Sequence, residues 1–299
     1  MKRHFLRDAV AVAALLVMPF SALAQDLPWG QFRGFDVPYV PTPPEVVEAM
    51  LGLAGVRAGD VLYDLGCGDG RIVIAAAKRF GIKAAGIDID PVRIEESEAN
   101  AAAAGLTGKV RFVKQDIFEA DFRDATVVTM YLLNSVNVRL RPKLLAELKP
   151  GTRLVSHSFE MGDWRPEYTV EVSTSYDDVR DVHFWVIPAN ASGRWDWEVA
   201  VGGRIRRVTL QAVQEFQDVT ATATEDGRPL AVGGFVVSGD RVSFRADTTA
   251  EGHDISLVYE GRVDGELMAG TVRPAGDSKA ATLAWKAVRA PKTAAAIAK

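Results

Sequence analysis

Residues 61–70 read VLYDLGCGDG, and the chain continues as RIVIAAAKRF. No other stretch restricts the fold as strongly. A short apolar run closing on an acid, then three glycines at alternate positions, then apolar residues at helical spacing, form a strand–turn–helix unit. Its glycines, Gly66, Gly68 and Gly70, let the backbone turn sharply and approach a ligand at the carboxyl end of the strand. The spacing is G-x-G-x-G, which differs from the G-x-G-x-x-G that fits a dinucleotide pyrophosphate. Asp64, just ahead of the glycines, places a negative charge beside the ligand. That charge favours a cationic amino group or a sulfonium and repels a pyrophosphate.

The flanking sequence supplies the sheet that this unit needs. Strands are expected at 60–65, 83–89, 109–114, 125–133 and 151–159, and helices at 70–80, 91–104 and 136–148. Short β-branched runs alternating with amphipathic helices predict a doubly wound, Rossmann-like α/β sheet, parallel and covered on both faces. EYTVEVST and DVHFWVIPA, joined through a turn, read as an antiparallel hairpin at its edge. Ahead of the first strand, Thr42-Pro43-Pro44-Glu45 reads as a T-x-x-E capping box opening a further helix.

Two further acids fall where α/β folds bind ligands. Asp88 closes the second strand in GIDID, where a carboxylate accepts from both hydroxyls of a ribose. Asp116 follows the third strand in KQDIF, within reach of an adenine amino group. Either is also an ordinary turn or helix-cap residue. Cys67, the lone cysteine, has no partner for an intrachain disulfide and reads as a small filler of the cofactor loop. The four histidines are scattered, so no metal site is expected, and a formal charge of −4 without a polybasic block argues against a nucleic-acid surface.

With 299 residues the chain has room for two domains. The expected division is a signal peptide at 1–24, an extended proline-rich entry at 25–40, the α/β domain at 41–189, an antiparallel β domain at 190–290 and a frayed tail at 291–299. The signal reading rests on Lys2, Arg3 and Arg7, an apolar run from Ala9 to Phe20 and the Ala22-Leu23-Ala24 cleavage pattern. That run is too short to span a bilayer, so membrane association is expected only through a substrate. In the β domain, strands such as RVSFRAD and ISLVYEGRV alternate with glycine turns, as in a small barrel or sandwich. Trp195 and Trp197 share one face of a strand there and read as core.

YDLGCGDGR, GIDID and KQDIF together resemble the class I, seven-strand S-adenosylmethionine-dependent methyltransferases. PYVPTPPEVVEAML, VVTMYLL, LRPKLLAELKPGTRLVSHSF and MGDW are similar to segments of the small protein-lysine methyltransferases. That group includes archaeal enzymes of broad specificity and mitochondrial enzymes acting on the ATP synthase c-subunit and the adenine nucleotide translocase. The resemblance covers residues 36–189 and leaves out the β domain. It implies S-adenosylmethionine as cofactor and a lysine side chain of a protein as substrate. Asp64, Gly66, Cys67, Gly68 and Gly70 become the methionine-side loop, Asp88 the ribose ligand and Asp116 the adenine-side ligand. Tyr39, Pro41 and Thr42 are then placed over the cofactor and the substrate entrance. Tyr131, in YLLN where base-modifying methyltransferases carry N/D-P-P-Y, faces the sulfonium or the lysine chain, and no general base is assigned. Two other readings stand beside this one: a small-molecule methyltransferase, and a non-catalytic exported protein whose β domain binds an envelope ligand. The signal peptide points to export, whereas the cofactor is expected in the cytosol.

Overall fold

The computed structural model describes residues 36–250, 252–276 and 281–297. The signal peptide expected at 1–24 falls on residues outside those described. The chain divides into two units, Met1–Val40 and Pro41–Lys299. Of the first, the described residues 36–40 form no helix or strand.

In the second unit the first half alternates as expected: α1 (Pro44–Leu53), β1 (Val61–Leu65), α2 (Arg71–Phe80), β2 (Lys83–Asp88), α3 (Pro91–Ala103), β3 (Val110–Lys114), β4 (Val127–Met130), α4 (Asn134–Glu147) and β5 (Arg153–His157). The hairpin β6 (Tyr168–Ser173) and β7 (Val179–Val186) follows. These strands make a seven-stranded sheet in the order β3-β2-β1-β4-β5-β7-β6. The pairs along β3-β2-β1-β4-β5 are parallel, and β7 is antiparallel to both β5 and β6. Chain order reverses between β1 and β4, so the crevice at their carboxyl ends is the topological switch point of the sheet. The central strands are apolar on both faces because helices cover both. Val46, Met50 and Leu51 of α1 and Ile72, Val73 and Ala76 of α2 join Leu62, Val127 and Val155 in one buried cluster.

The second half is entirely β. Strands β8 (Gly193–Val201), β9 (Arg204–Glu215), β10 (Asp218–Glu225), β11 (Arg228–Ser238), β12 (Arg241–Ala250), β13 (His253–Asp264), β14 (Leu267–Pro274) and β15 (Leu283–Arg289) close into an eight-stranded antiparallel barrel. Between barrel and sandwich the outcome is a barrel, because β15 pairs with β8 and leaves no open edge. Trp195, Trp197, Phe244, Tyr259 and Trp285 fill it. The Phe244 and Tyr259 rings stack at 4.7 Å and Trp285 stands edge-on to both. A packed interior of this kind is a core rather than a ligand mouth.

Two local expectations change. Pro43 is the N-cap of α1 and makes no side-chain cap bond, so the capping box does not form. The Thr42 hydroxyl is engaged elsewhere, as described below. The tail expected to fray is held as far as Ile297: the Asn190 and Ser192 side chains donate to Ala295 O, and Phe216 N donates to Ile297 O. Among the described residues no helix is long and apolar enough to cross a membrane.

Candidate active site

β1 delivers Asp64 to the switch point, and three glycines there have positive φ: 76° at Gly66, 54° at Gly68 and 78° at Gly70. A side chain would be strained at each of these angles. At Gly66 a Cβ would also lie 2.8 Å from Leu132 Cδ2. The loop is tied to β2, with the Gly66 and Cys67 amides both donating to Ile87 O. Gly68 N donates to Asp88 Oδ2 at 2.9 Å, and Asp90 N donates to Asp88 Oδ1 at 2.9 Å. The Asp88 carboxylate is therefore fixed while its remaining lone pairs stay available. Cys67 is buried and its thiol pKa is pushed up by burial and then by Asp64 and Asp88, so it fills space and does not act as a nucleophile.

Asp64 is 2% exposed and accepts a 2.8 Å bond from the Thr129 hydroxyl of β4. Burial raises its pKa to about 7 against that bond, and the charges acting on it, Asp88 and Asp69, are both negative. Asp88 is raised as well, by burial first. A buried carboxyl whose charged neighbours are other carboxylates is chemically matched to a ligand that brings a cation.

Sequence reasoning missed Arg71 and His157. Arg71 forks onto Asp69, with Nη2 to Oδ2 at 2.6 Å, and Nη1 reaches back to Thr42 O at 2.8 Å. It fastens Thr42, ahead of α1, to the glycine loop. His157 ends β5 on the same rim, 1% exposed, with Nδ1 3.3 Å from Thr42 Oγ1 and Nε2 buried without a hydrogen-bond partner. Burial lowers its pKa to about 4, so the ring is neutral at physiological pH. Tyr131 follows β4 and lies on His157 with ring centroids 3.7 Å apart, and Phe159 stacks on Tyr131 at 5.9 Å. Burial raises the Tyr131 phenol, which leaves it neutral too. Together these rings form an aromatic stack at the carboxyl ends of β4 and β5. The signal for His157 was its place at the end of the strand next to β4, in LVSH.

Asp64, the glycine loop, Asp88, Tyr131 and Thr42 thus gather on one rim. Asp116 stands at the same end of β3, but its Oδ1 accepts from Phe118 N at 2.9 Å, which is the turn role. Tyr39 lies in the Met1–Val40 unit. Among the described residues no group of side chains is placed to hold a metal ion.

The model of the ANTKMT methyltransferase domain matches residues 64–168. A protein-lysine N-methyltransferase of Saccharolobus islandicus is 55% identical over 137 residues, covering 46% of this chain and 85% of that protein. The chain belongs to this methyltransferase family. The methyltransferase half is also 36% identical to the mouse adenine nucleotide translocase lysine N-methyltransferase, over 49% of this chain and 64% of that one. With the mouse lysine N-methyltransferase of the ATP synthase c-subunit it shares 33% identity, over 55% of this chain and 65% of that one. The chain therefore spans slightly less than two thirds of the two mouse enzymes. Among solved structures, an RNA methyltransferase of Salinibacter ruber in complex with S-adenosyl-L-homocysteine is 51% identical. The match covers 50% of this chain and 94% of that one, with a TM-score of 0.47.

Proposed function

We propose that this methyltransferase takes its methyl group from S-adenosylmethionine and places it on lysine ε-amines of a protein substrate. The carrying observation is Asp64, a fully buried carboxyl at the switch point whose charged neighbours are both anions. It suits the cationic amino group of the methionine moiety, and the held carboxylate of Asp88 suits a pair of ribose hydroxyls. When bound, S-adenosylmethionine supplies an electrophilic methyl on a sulfonium.

The chain's own residues align the acceptor and exclude water. Tyr131 and Phe159, with the buried neutral ring of His157 behind Tyr131, present neutral, largely apolar surface, along which a lysine chain can lie and beside which its ammonium is poorly solvated. Poor solvation lowers the amine pKa from about 10.4 and releases its lone pair. Alignment then contributes most of the acceleration. His157 is too weak a base to take a lysine proton, so water is the acceptor of that proton.

Asp116 belongs on the adenine side in this reading, and Tyr39 and Thr42 at the substrate entrance. Residues 1–24 are proposed to direct export, which a fusion of residues 1–30 to a reporter active only outside the cytosol tests. Calorimetry with S-adenosylmethionine tests the cofactor assignment. Asp88→Ala is expected to weaken binding by about tenfold to a hundredfold. Equal affinity in parent and variant would remove Asp88 from the site.

A further inference from the structure

The barrel makes a contact that the methyl-transfer reading does not use. Between β9 and β10 the chain turns through Phe216, whose φ of 51° is unfavourable for a bulky L-residue. Surrounding bonds hold it there: Gln214 Nε2 donates to Phe216 O at 2.7 Å, and Phe216 N donates to Ile297 O at 2.7 Å. The ring projects onto the α/β half. It stacks on Trp164 with centroids 5.6 Å apart and planes 9° apart, and the Arg141 guanidinium of α4 lies 4.9 Å from its centroid. Gln217 completes the grip, accepting from Trp164 Nε1 at 2.9 Å and donating to Arg165 O at 3.1 Å.

Trp164 belongs to the loop that leaves β5 directly behind His157. That loop begins at Ser158, with φ 61°, and carries a bridge between Met161 and Trp164. Its path is set by side chains of α4. Arg141 donates to Met161 O at 2.8 Å, and Asn137 donates to Phe159 O at 3.1 Å and Glu160 O at 3.3 Å. The loop includes Phe159, whose ring stacks on Tyr131. The match to the family model ends at residue 168, before the barrel begins.

We propose that the β9–β10 turn of the barrel, through Phe216 and Gln217, is a positioning element for methyl transfer, fixing the loop after β5 so that Phe159 holds the Tyr131 ring against the acceptor lysine. The proposal rests on the methyl-transfer reading of the site and gives the barrel a part in it. The turn touches neither cofactor nor acceptor. Its effect therefore belongs on kcat and on the mobility of residues 158–167, not on cofactor affinity.

Phe216→Gly removes the ring while glycine adopts the turn's positive φ without strain, so the barrel keeps its fold. Phe216→Tyr keeps the ring and serves as the rescue. Hydrogen exchange is measured on the full chain without acceptor, S-adenosylhomocysteine affinity by calorimetry, and turnover with poly-L-lysine as the acceptor. In Phe216→Gly, amides of residues 158–167 are expected to exchange about tenfold faster and kcat to fall about tenfold, with the tyrosine variant near the parent. Exchange around residues 66–70 and S-adenosylhomocysteine affinity stay within roughly twofold of the parent. Unchanged exchange at 158–167, or unchanged kcat, overturns the proposal. So does parallel loosening of the glycine loop, which marks general destabilisation. The exchange arm is independent of the acceptor. If residues 158–167 loosen selectively while the parent transfers no methyl to poly-L-lysine, the lysine reading fails and the contact between barrel and loop stands.

Discussion

Asp64 is held in the free protein under conditions that oppose its own charge. Its ordinary pKa of 3.8 is raised to about 7 by burial and by Asp88 and Asp69, against one hydrogen bond from Thr129. Unfolded, the carboxyl ionises near 3.8; folded, it keeps its proton until about 7. Between those values the folded state binds the extra proton, so stability falls as pH rises, by about 1.4 kcal/mol per pH unit. Above pH 7 the accumulated loss is about 4 kcal/mol. Asp64→Asn removes the titration, and its amide oxygen can still accept the Thr129 hydroxyl. The free variant is therefore expected to gain on the parent by about 3 kcal/mol between pH 5 and pH 8. Denaturant melts of both proteins at the two pH values measure this. The same substitution removes the partner of a cationic amino group, so S-adenosylmethionine binding should weaken by at least about a hundredfold. A stability gap that does not widen with pH would refute the buried-carboxyl argument. Undiminished binding would refute the assignment of Asp64 to the cofactor.

Two more substitutions test neighbouring parts of the account. Gly66→Ala forces a side chain to φ 76° and towards Leu132, and should lower stability by about 2 kcal/mol in melts and weaken the cofactor by roughly tenfold in calorimetry. Arg153→Met removes a donor from Ala54 O and Gly55 O, at 2.8 and 2.9 Å, and the cation paired with buried Asp60. Burial alone would raise Asp60, but the Arg57 amide, the Thr126 hydroxyl and Arg153 hold it below its usual value. The variant should lose about 2–4 kcal/mol at pH 7, and part of that difference should vanish in acid, where Asp60 is protonated in both proteins.

The parts of the fold that were legible in sequence are those decided locally. The apolar runs of β1, β2 and β4 and the positive-φ glycines between β1 and α2 follow from backbone sterics and pattern, and they placed Asp64 and Asp88 on one rim. What pattern missed was decided by distant partners. Thr42 carries the signature of a helix cap, yet its hydroxyl lies against His157, 115 residues away, and the cap is left unmade. His157 looked like one of four scattered histidines until β5 was paired beside β4. Closure of the barrel depends on β15 meeting β8, a pairing across about ninety residues that no turn signal announces. The β9–β10 turn was equally hidden, because Phe216 at a left-handed φ contradicts the residue preference from which turns are read.

The central claim is transfer of a methyl group to protein lysine, and one measurement meets it directly. The full chain is incubated with methyl-labelled S-adenosylmethionine and a cell lysate, and the lysate is then separated into protein, RNA and small molecules. The labelled protein is digested for mass spectrometry. Label is expected in protein, on lysine ε-nitrogens, and is expected to fall in Asp88→Ala when the cofactor is below saturation. Label confined to RNA or to small molecules, with unmodified lysines throughout, would contradict it.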